Sequence, residues 1–290
     1  MQLDIFEHSR DTMLRNDVVA ALERRDGVAA RAAWRTLSDA YALDAAVPLL
    51  DVLIGALESR SDAPIADHET LHAAQRALRE TVAPAAWRIF GATDGAAWLV
   101  PQWRDLAQRA ARLPYRREHS DDHSAPLWLC ALEWSAAIDA VGTIESWRRI
   151  APPLAWMTQA RYRLSGLDSA WALLAELAWL SPRRFDRVTT ELADPVLNRL
   201  LKQFHANFEG DATVDDLAWF AAWVLTHTPA LAPLLGQAQR GLWSPAEQGL
   251  RAVLELLGLE HAGRHHDIVQ RRKALRDLSP ALFASYMATR

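Results

Sequence analysis

Five dipeptides in the second half of this chain place a capping residue directly before proline. They are Ser181-Pro182, Asp194-Pro195, Thr228-Pro229, Ser244-Pro245 and Ser279-Pro280. A Ser, Thr or Asp side chain can accept a hydrogen bond from a free amide of the first helical turn. Proline at the next position loses nothing, because its missing N–H would have no partner within the helix. The pattern therefore predicts a series of short helices joined by tight turns.

Apolar residues at helical spacing extend this pattern over the whole sequence, and no segment alternates in the manner of a strand between hairpin turns. Pro84 begins a short helix that ends near Gly91, and a longer one follows over 95–113 with a kink at Pro101. Three segments are apolar on nearly every side, which requires that neighbouring helices cover them; they are 127–138, 169–180 and 217–225. We predict an all-α fold of stacked antiparallel helix hairpins, a right-handed α-solenoid, in a single domain over residues 1–290.

The most polar stretch of the chain is 114–125, PYRREHSDDHSA. A polar stretch of this kind between apolar helices is typical of a domain boundary or of a functional loop. Both interpretations remain open at the level of the sequence.

Charge and composition favour a cytoplasmic protein without a membrane or nucleic-acid partner. The net charge is −4, so neither nucleic acid nor an anionic membrane attracts the chain as a whole. The first residues are acidic and lack the basic and apolar regions of a secretory signal, and the apolar runs are shorter than the ~18 residues of a spanning helix. A single cysteine, Cys130, excludes an internal disulfide.

The segment from Arg25 to Leu37, RDGVAARAAWRTL, resembles the middle of a tetratricopeptide repeat. Asp26 stands at the turn between the two helices, Ala30 at the small position, and Trp34 and Leu37 at the following packing positions. The resemblance covers one partial repeat. It implies a right-handed array of helix hairpins, which is an architecture that binds proteins or peptides.

Thirteen tryptophans are an unusually large number for this length. Rows of aromatic side chains can bind peptides, sugars or bases. Most of these tryptophans, however, have Ala, Leu or Val neighbours on the same helix face. We therefore predict that they fill the core between helices.

The polar stretch contains possible metal ligands in His119, Asp121, Asp122 and His123. Imidazole and carboxylate groups at this spacing can bind a divalent ion, with His119, Asp122 and His123 as the candidates. A solvated charged loop has the same composition, and no further ligand can be assigned. We predict neither a metal nor a cofactor.

Arginines concentrate near the ends of the central helices, and some of them are candidates for a binding groove. Arginine forks pair with the carboxylates of a peptide, and helix stacking would place several of them on one face. The alternative is an exposed surface with local pairing to Glu145, Asp186 and Glu191. The candidates are Arg148, Arg149, Arg161, Arg163, Arg183, Arg184 and Arg187.

No catalytic signature occurs in the sequence. The phosphate-binding loop GxxxxGK[ST], the dinucleotide motif GxGxxG and the nucleophile elbow GxSxG are all missing. We predict a non-catalytic scaffold that binds a protein or peptide partner in a groove of the helical array. The alternatives are an all-α enzyme with a site between helices, and an oligomeric structural or assembly component.

Overall fold

The structure, a computed structural model, describes the backbone of residues 2–241 and 244–290 and the side chains of residues 10–241 and 244–290. Every regular element within these ranges is helical, so the all-α prediction is confirmed. The chain divides into two compact units, Met1–Glu133 and Trp134–Arg290.

The first unit buries one continuous apolar core. Its helices are α1 Gln2–Glu23, α2 Gly27–Ala40, α3 Val47–Glu58, α4 His68–Ala77, α5 Ala83–Ala110 and α6 Ser124–Cys130, with a π-helical turn at Leu78–Val82 and a 3-10 turn at Arg117–His119. Each of the first four helices contributes fully buried leucines, among them Leu22, Leu37, Leu53 and Leu71. The core is therefore shared by all four of these helices.

Helix α5 folds back on itself at Gly91. This residue has φ 83° and ψ 172°, which a residue with a side chain seldom adopts, and it divides α5 into a short and a long arm. The predicted end of a helix near Gly91 is confirmed. At Pro101 the long arm remains helical, so the proline does not end the helix, and the kink there stays a prediction. Trp98 and Trp103 are buried on either side of the proline, and their packing stabilises the arm against the lost backbone hydrogen bond.

The polar stretch 114–125 lies inside the first unit and packs against α4. The His68 Nε2 atom lies 2.9 Å from the carbonyl oxygen of Pro114. Gln75 donates its side-chain N–H to the carbonyl oxygen of Asp121 at 3.2 Å. The change from the first unit to the second comes later in the chain, after α6.

The second unit is arranged around two apolar helices, α9 and α12. Its helices are α7 Trp134–Gly142, α8 Ala151–Ser165, α9 Trp171–Leu180, α10 Pro182–Leu192, α11 Pro195–Asn207, α12 Phe220–His227, α13 Ala232–Leu235, α14 Pro245–His261, α15 His265–Leu278 and α16 Pro280–Ala288. Short 3-10 segments occupy Trp147–Arg149, Leu167–Ser169, Val214–Trp219 and Pro229–Leu231. Helix α12 packs against α9, α11, α14 and α16, and α9 packs against α8 and α10. Two of the three predicted all-round apolar segments are thus covered on several sides.

The third apolar segment, 127–138, is not one helix, and that prediction is wrong. Helix α6 ends at Cys130, and α7 begins at Trp134. Leu132 between them has φ 59°, the left-handed conformation that stops a helix, and its side chain is exposed. Hydropathy misses this stop because the turn is made by an apolar residue rather than by glycine.

All five capping dipeptides begin a helical element, as predicted. The side chain of Asp194 accepts two amides of α11, and those of Ser244 and Ser279 accept the third amides of α14 and α16. At Ser181 and Thr228 the helical element begins where predicted, but the side chain makes no capping hydrogen bond with a described residue. The local capping chemistry therefore fixes where the helices of the second unit begin.

Core packing is the main role of the tryptophans. Trp87 is half exposed, and Trp243 lies outside the described residues. The partly buried ones are Trp34, Trp128, Trp134, Trp147 and Trp219. The buried ones are Trp98, Trp103, Trp156, Trp171, Trp179 and Trp223.

Within the described ranges, no single helix is long and apolar enough to cross a membrane. One pair of consecutive helical segments, separated by a bend, has sufficient length and hydropathy when the two segments are taken together. The pair consists of Val214–His227 and Pro229–Leu235, which meet at 111°.

Candidate functional site

Three arginines lie on the exposed side of α10. The helix buries Phe185 and Val188, and at about 100° per residue this orientation puts Arg183 and Arg187 at the centre of the solvent side and Arg184 at its edge. Their guanidinium groups make no ion pair or hydrogen bond with any described residue. We call these three residues the arginine face.

Arg161 lies away from the arginine face. The C-terminal ends of α8 and α10 lie together, because Arg163 donates to the carbonyl oxygen of Glu191 at 3.2 Å and the Tyr162 hydroxyl donates to the Asp194 carboxylate at 2.8 Å. Arg161, near the end of α8, therefore lies beside the C-terminal end of α10. The arginine face lies at the N-terminal end of α10.

Arg148 and Arg149, two further predicted arginines, contact groups within the second unit. The Arg148 Nε atom lies 3.1 Å from Oε2 of the buried Glu176, in an ion pair without hydrogen-bond geometry. Its guanidinium also lies 5.4 Å from the centre of the Trp147 ring. Arg149 donates to the carbonyl oxygen of Gly241 at 3.3 Å. These two residues stabilise the fold and are less available to a partner than the arginine face is.

Buried carboxylates hold the loop that precedes α14. Glu176 Oε1 accepts the Gln239 amide at 2.6 Å, and Glu247 Oε1 accepts the Gly241 amide at 3.0 Å. Burial raises the pKa of Glu176, although the Gln239 amide and the charge of Arg148 act in the opposite direction. Because both carboxylates accept backbone amides, their role is to fix the loop.

Asp122 brings two histidines of the first unit together. It is buried, and its two oxygens lie 3.1 Å from Nδ1 of His72 and 3.5 Å from Nδ1 of His119. His119 in turn stacks on His68 with 5.2 Å between ring centres. Of the candidate metal ligands, His119 and Asp122 are therefore neighbours. His72, which lies 50 residues before Asp122 on α4, was not among the predicted residues.

His123, the remaining candidate ligand, has a structural role. Its Nδ1 atom accepts the Ala125 amide at 3.2 Å at the start of α6. Burial, with a smaller effect of nearby His68, lowers the pKa of His123 to about 4, so the ring is neutral at neutral pH. Within the described part of the chain, no group of three or more His, Cys, Asp or Glu side chains is arranged to hold a metal ion.

A pocket of about 380 Å³ lies beside α10 and was not predicted from the sequence. It opens between α10, α11 and the segment Val214–Trp219, and its lining includes Asp186, Phe204, Phe208 and Asp216. These residues come from separate elements, so no spacing rule joins them. The available signal was the pair of phenylalanines four residues apart, directly before an acidic segment.

The residues that resemble a tetratricopeptide repeat lie in the α1–α2 hairpin. Asp26 caps α2, Ala30 and Leu37 are fully buried, and the Trp34 indole donates to the carbonyl oxygen of Val47 at 2.9 Å. These are the contacts of a packed helix hairpin, and membership of the tetratricopeptide family stays a prediction. Comparison with protein-family models, curated proteins and solved structures found no match to this chain.

Proposed function

We propose that this protein is a non-catalytic scaffold that binds an acidic peptide segment of a protein partner across the arginine face of α10. The observation that carries the proposal is the set of three guanidinium groups, Arg183, Arg184 and Arg187, which are unpaired within the described chain. A partner's carboxylates can reach them without displacing an internal ion pair. Arg148 differs, because its guanidinium faces a buried carboxylate.

The proposal includes a right-handed, tetratricopeptide-like stacking of hairpins. Successive packing of α8, α9 and α10, in which the C-terminal ends of α8 and α10 meet, supports it locally. In such a stack every second helix presents its polar side to a partner. Helix α10 suits that position because its buried side is apolar and its other side carries the arginines.

The small energies of exposed ion pairs limit how much the arginine face can contribute to the free energy of binding. An exposed ion pair is worth only ~0.2–1 kcal/mol, and bidentate geometry raises this value. Three pairs therefore give weak, salt-sensitive binding that needs additional contacts from the rest of a partner. Arginine suits this role better than lysine, because its planar fork matches a carboxylate.

The test uses a fluorescent glutamate-rich peptide and the double charge reversal Arg183→Glu with Arg184→Glu. We expect the affinity in fluorescence anisotropy to fall roughly tenfold or more, which corresponds to about 1.4 kcal/mol. Arg116→Glu with Arg117→Glu is the matched control, since these adjacent arginines are also exposed but lie in the first unit. Circular dichroism of both variants checks that the helices are retained.

Three results would overturn the proposal. The peptide does not bind the unchanged protein at low salt, or both double variants lose affinity equally. In the third case a single-stranded oligonucleotide binds the unchanged protein at least as tightly as the peptide does, and this binding is lost in the variant with Arg183→Glu and Arg184→Glu. That outcome would assign the arginine face to nucleic acid.

A further inference from the structure

The pocket beside α10 combines an aromatic surface with two carboxylates. Phe204 is buried in α11, and its ring stacks on that of Phe208 with 4.7 Å between centres and 19° between planes. Phe208 caps the end of α11, so the backbone holds its position. The pair presents aromatic carbon to the pocket, next to the carboxylates of Asp186 and Asp216.

The Asp216 carboxylate is fixed by the backbone around it. It accepts the amides of Asp211 and Thr213, each at 3.2 Å. It also lies against Gly210, where an added Cβ atom would be 2.6 Å from the carboxyl carbon. The segment before Val214 therefore wraps around this side chain and holds a negative charge at the pocket in one position.

The Asp186 carboxylate is free. It makes no hydrogen bond or ion pair with any described residue, and neither Arg183 one turn earlier nor the adjacent Arg187 reaches it. At about 100° per residue, Asp186 and Arg184 lie on opposite edges of the exposed side of α10. The pocket is therefore on a different edge of the helix from Arg184.

We propose that this pocket receives an arginine side chain of a protein partner. A guanidinium is flat and weakly hydrated, so it can stack on an aromatic ring while its N–H groups donate to a carboxylate at the ring's edge. Phe208 supplies the ring, and Asp186 supplies a carboxylate with free acceptor positions. A lysine ammonium is a strongly hydrated point charge and gains less from the same surroundings.

The pocket is large enough to admit an arginine side chain. Its volume of about 380 Å³ is near the lower end of the ~300–1,000 Å³ that small-molecule sites occupy. The exposed acidic residues Glu209, Asp211 and Asp215 lie in the same segment and favour a cation nearby. The proposal stands independently of the acidic-peptide proposal, because none of its contacts involves the arginine face.

The probe is Nα-acetylarginine methylamide, titrated at millimolar concentrations into the full-length protein and followed by saturation-transfer NMR and calorimetry. We expect it to bind more tightly than Nα-acetyllysine methylamide. Asp186→Asn should weaken binding by up to about fivefold, because it removes the negative charge of an exposed carboxylate that pairs with the guanidinium. The Asp186 carboxylate bonds to no described residue, so we expect this substitution to leave the fold intact, and thermal unfolding checks this.

The matched control is Asp215→Asn, which removes the same charge from the acidic segment but does not line the pocket. We expect it to bind the arginine probe as the unchanged protein does. Equal weakening of arginine-probe binding in Asp186→Asn and Asp215→Asn would overturn the proposal, because it would show that the acidic segment attracts the probe only through its overall negative charge. Unchanged binding in Asp186→Asn, equal binding of the lysine probe, or no binding of the arginine probe would also overturn the proposal. Butylguanidinium binding more tightly than the blocked arginine would assign the pocket to a free small molecule instead.

Discussion

Glu176 is a carboxyl group whose ionisation depends strongly on its surroundings. It lies in the apolar helix α9 with only 4% of its side chain exposed, and burial raises its pKa. A carboxyl group with a raised pKa binds its proton more tightly in the folded protein than in the unfolded chain. Its contribution to stability is therefore fully present below the unfolded-chain pKa of 4.5 and is lost as pH rises through the folded pKa.

Glu176→Gln should remove this pH dependence. Glutamine can still accept the Gln239 amide, but it carries no charge to bury. We expect the free energy of unfolding of the variant, relative to the unchanged protein, to increase as pH rises above 4.5 and to level off above the folded pKa. Urea unfolding at a series of pH values measures it, with the exposed Glu145→Gln as control. A relative stability that falls with pH would show that the Arg148 ion pair outweighs burial.

Arg148 also shows which parts of the candidate site the sequence could predict. Arg148 and Arg183 both lie next to helix starts in arginine-rich stretches, and nothing local distinguishes them. What separates them is Glu176, which lies 28 residues after Arg148 and meets it only when α9 is buried. Exposure of Arg183 and Arg187 follows from the helical period of α10, because the apolar residues of that helix fix its orientation. An ion pair between residues far apart in sequence, such as Arg148 and Glu176, cannot be predicted from the helical period.

At the scale of the helices, the starts and the interruption at Gly91 were predictable, and the behaviour at Leu132 and Pro101 was not. Asp26, Asp67 and Asp194 each accept amides of the helix that follows, which is chemistry contained within four residues. The stop at Leu132 and the continuation through Pro101 depend instead on packing. Helix propensities differ by at most ~0.7 kcal/mol among ordinary residues and cost ~3 kcal/mol for proline, whereas burial of one large apolar side chain stabilises by ~1.5–3 kcal/mol, so two buried side chains can offset a proline.

Helix α14 contains two glycines whose surroundings predict opposite effects. A Cβ atom at Gly249 would lie 2.7 Å from the Trp219 ring and 2.9 Å from the Leu282 side chain. Gly249→Ala should therefore lower the free energy of unfolding by ~1–3 kcal/mol. Gly258 has open space around it, and Gly258→Ala should raise the free energy of unfolding by ~0.5–1 kcal/mol through helix propensity. Urea unfolding of the two variants tests this, and a stable Gly249→Ala would contradict the close packing.

At the scale of the molecule, the chain has two compact units and the sequence indicated one domain. No glycine- or proline-rich linker marks the change at Glu133 and Trp134, and apolar residues continue across it. The polar stretch 114–125 stands out in composition, yet it packs within the first unit through His68 and Gln75. The polarity of a segment indicates its exposure to solvent. The boundary of a compact unit depends instead on which helices, distant in sequence, pack together.

Each unit has a length typical of an independent domain, and the first has its own continuous core. We therefore expect two unfolding transitions in differential scanning calorimetry, one for each unit. Gly249→Ala should lower the temperature of one transition. Gly95→Ala, whose added Cβ atom would lie 2.8 Å from the Ala86 carbonyl oxygen in the fold of α5, should lower the other. If both substitutions shift a single common transition, the units unfold together, and the cooperative unit is the whole chain.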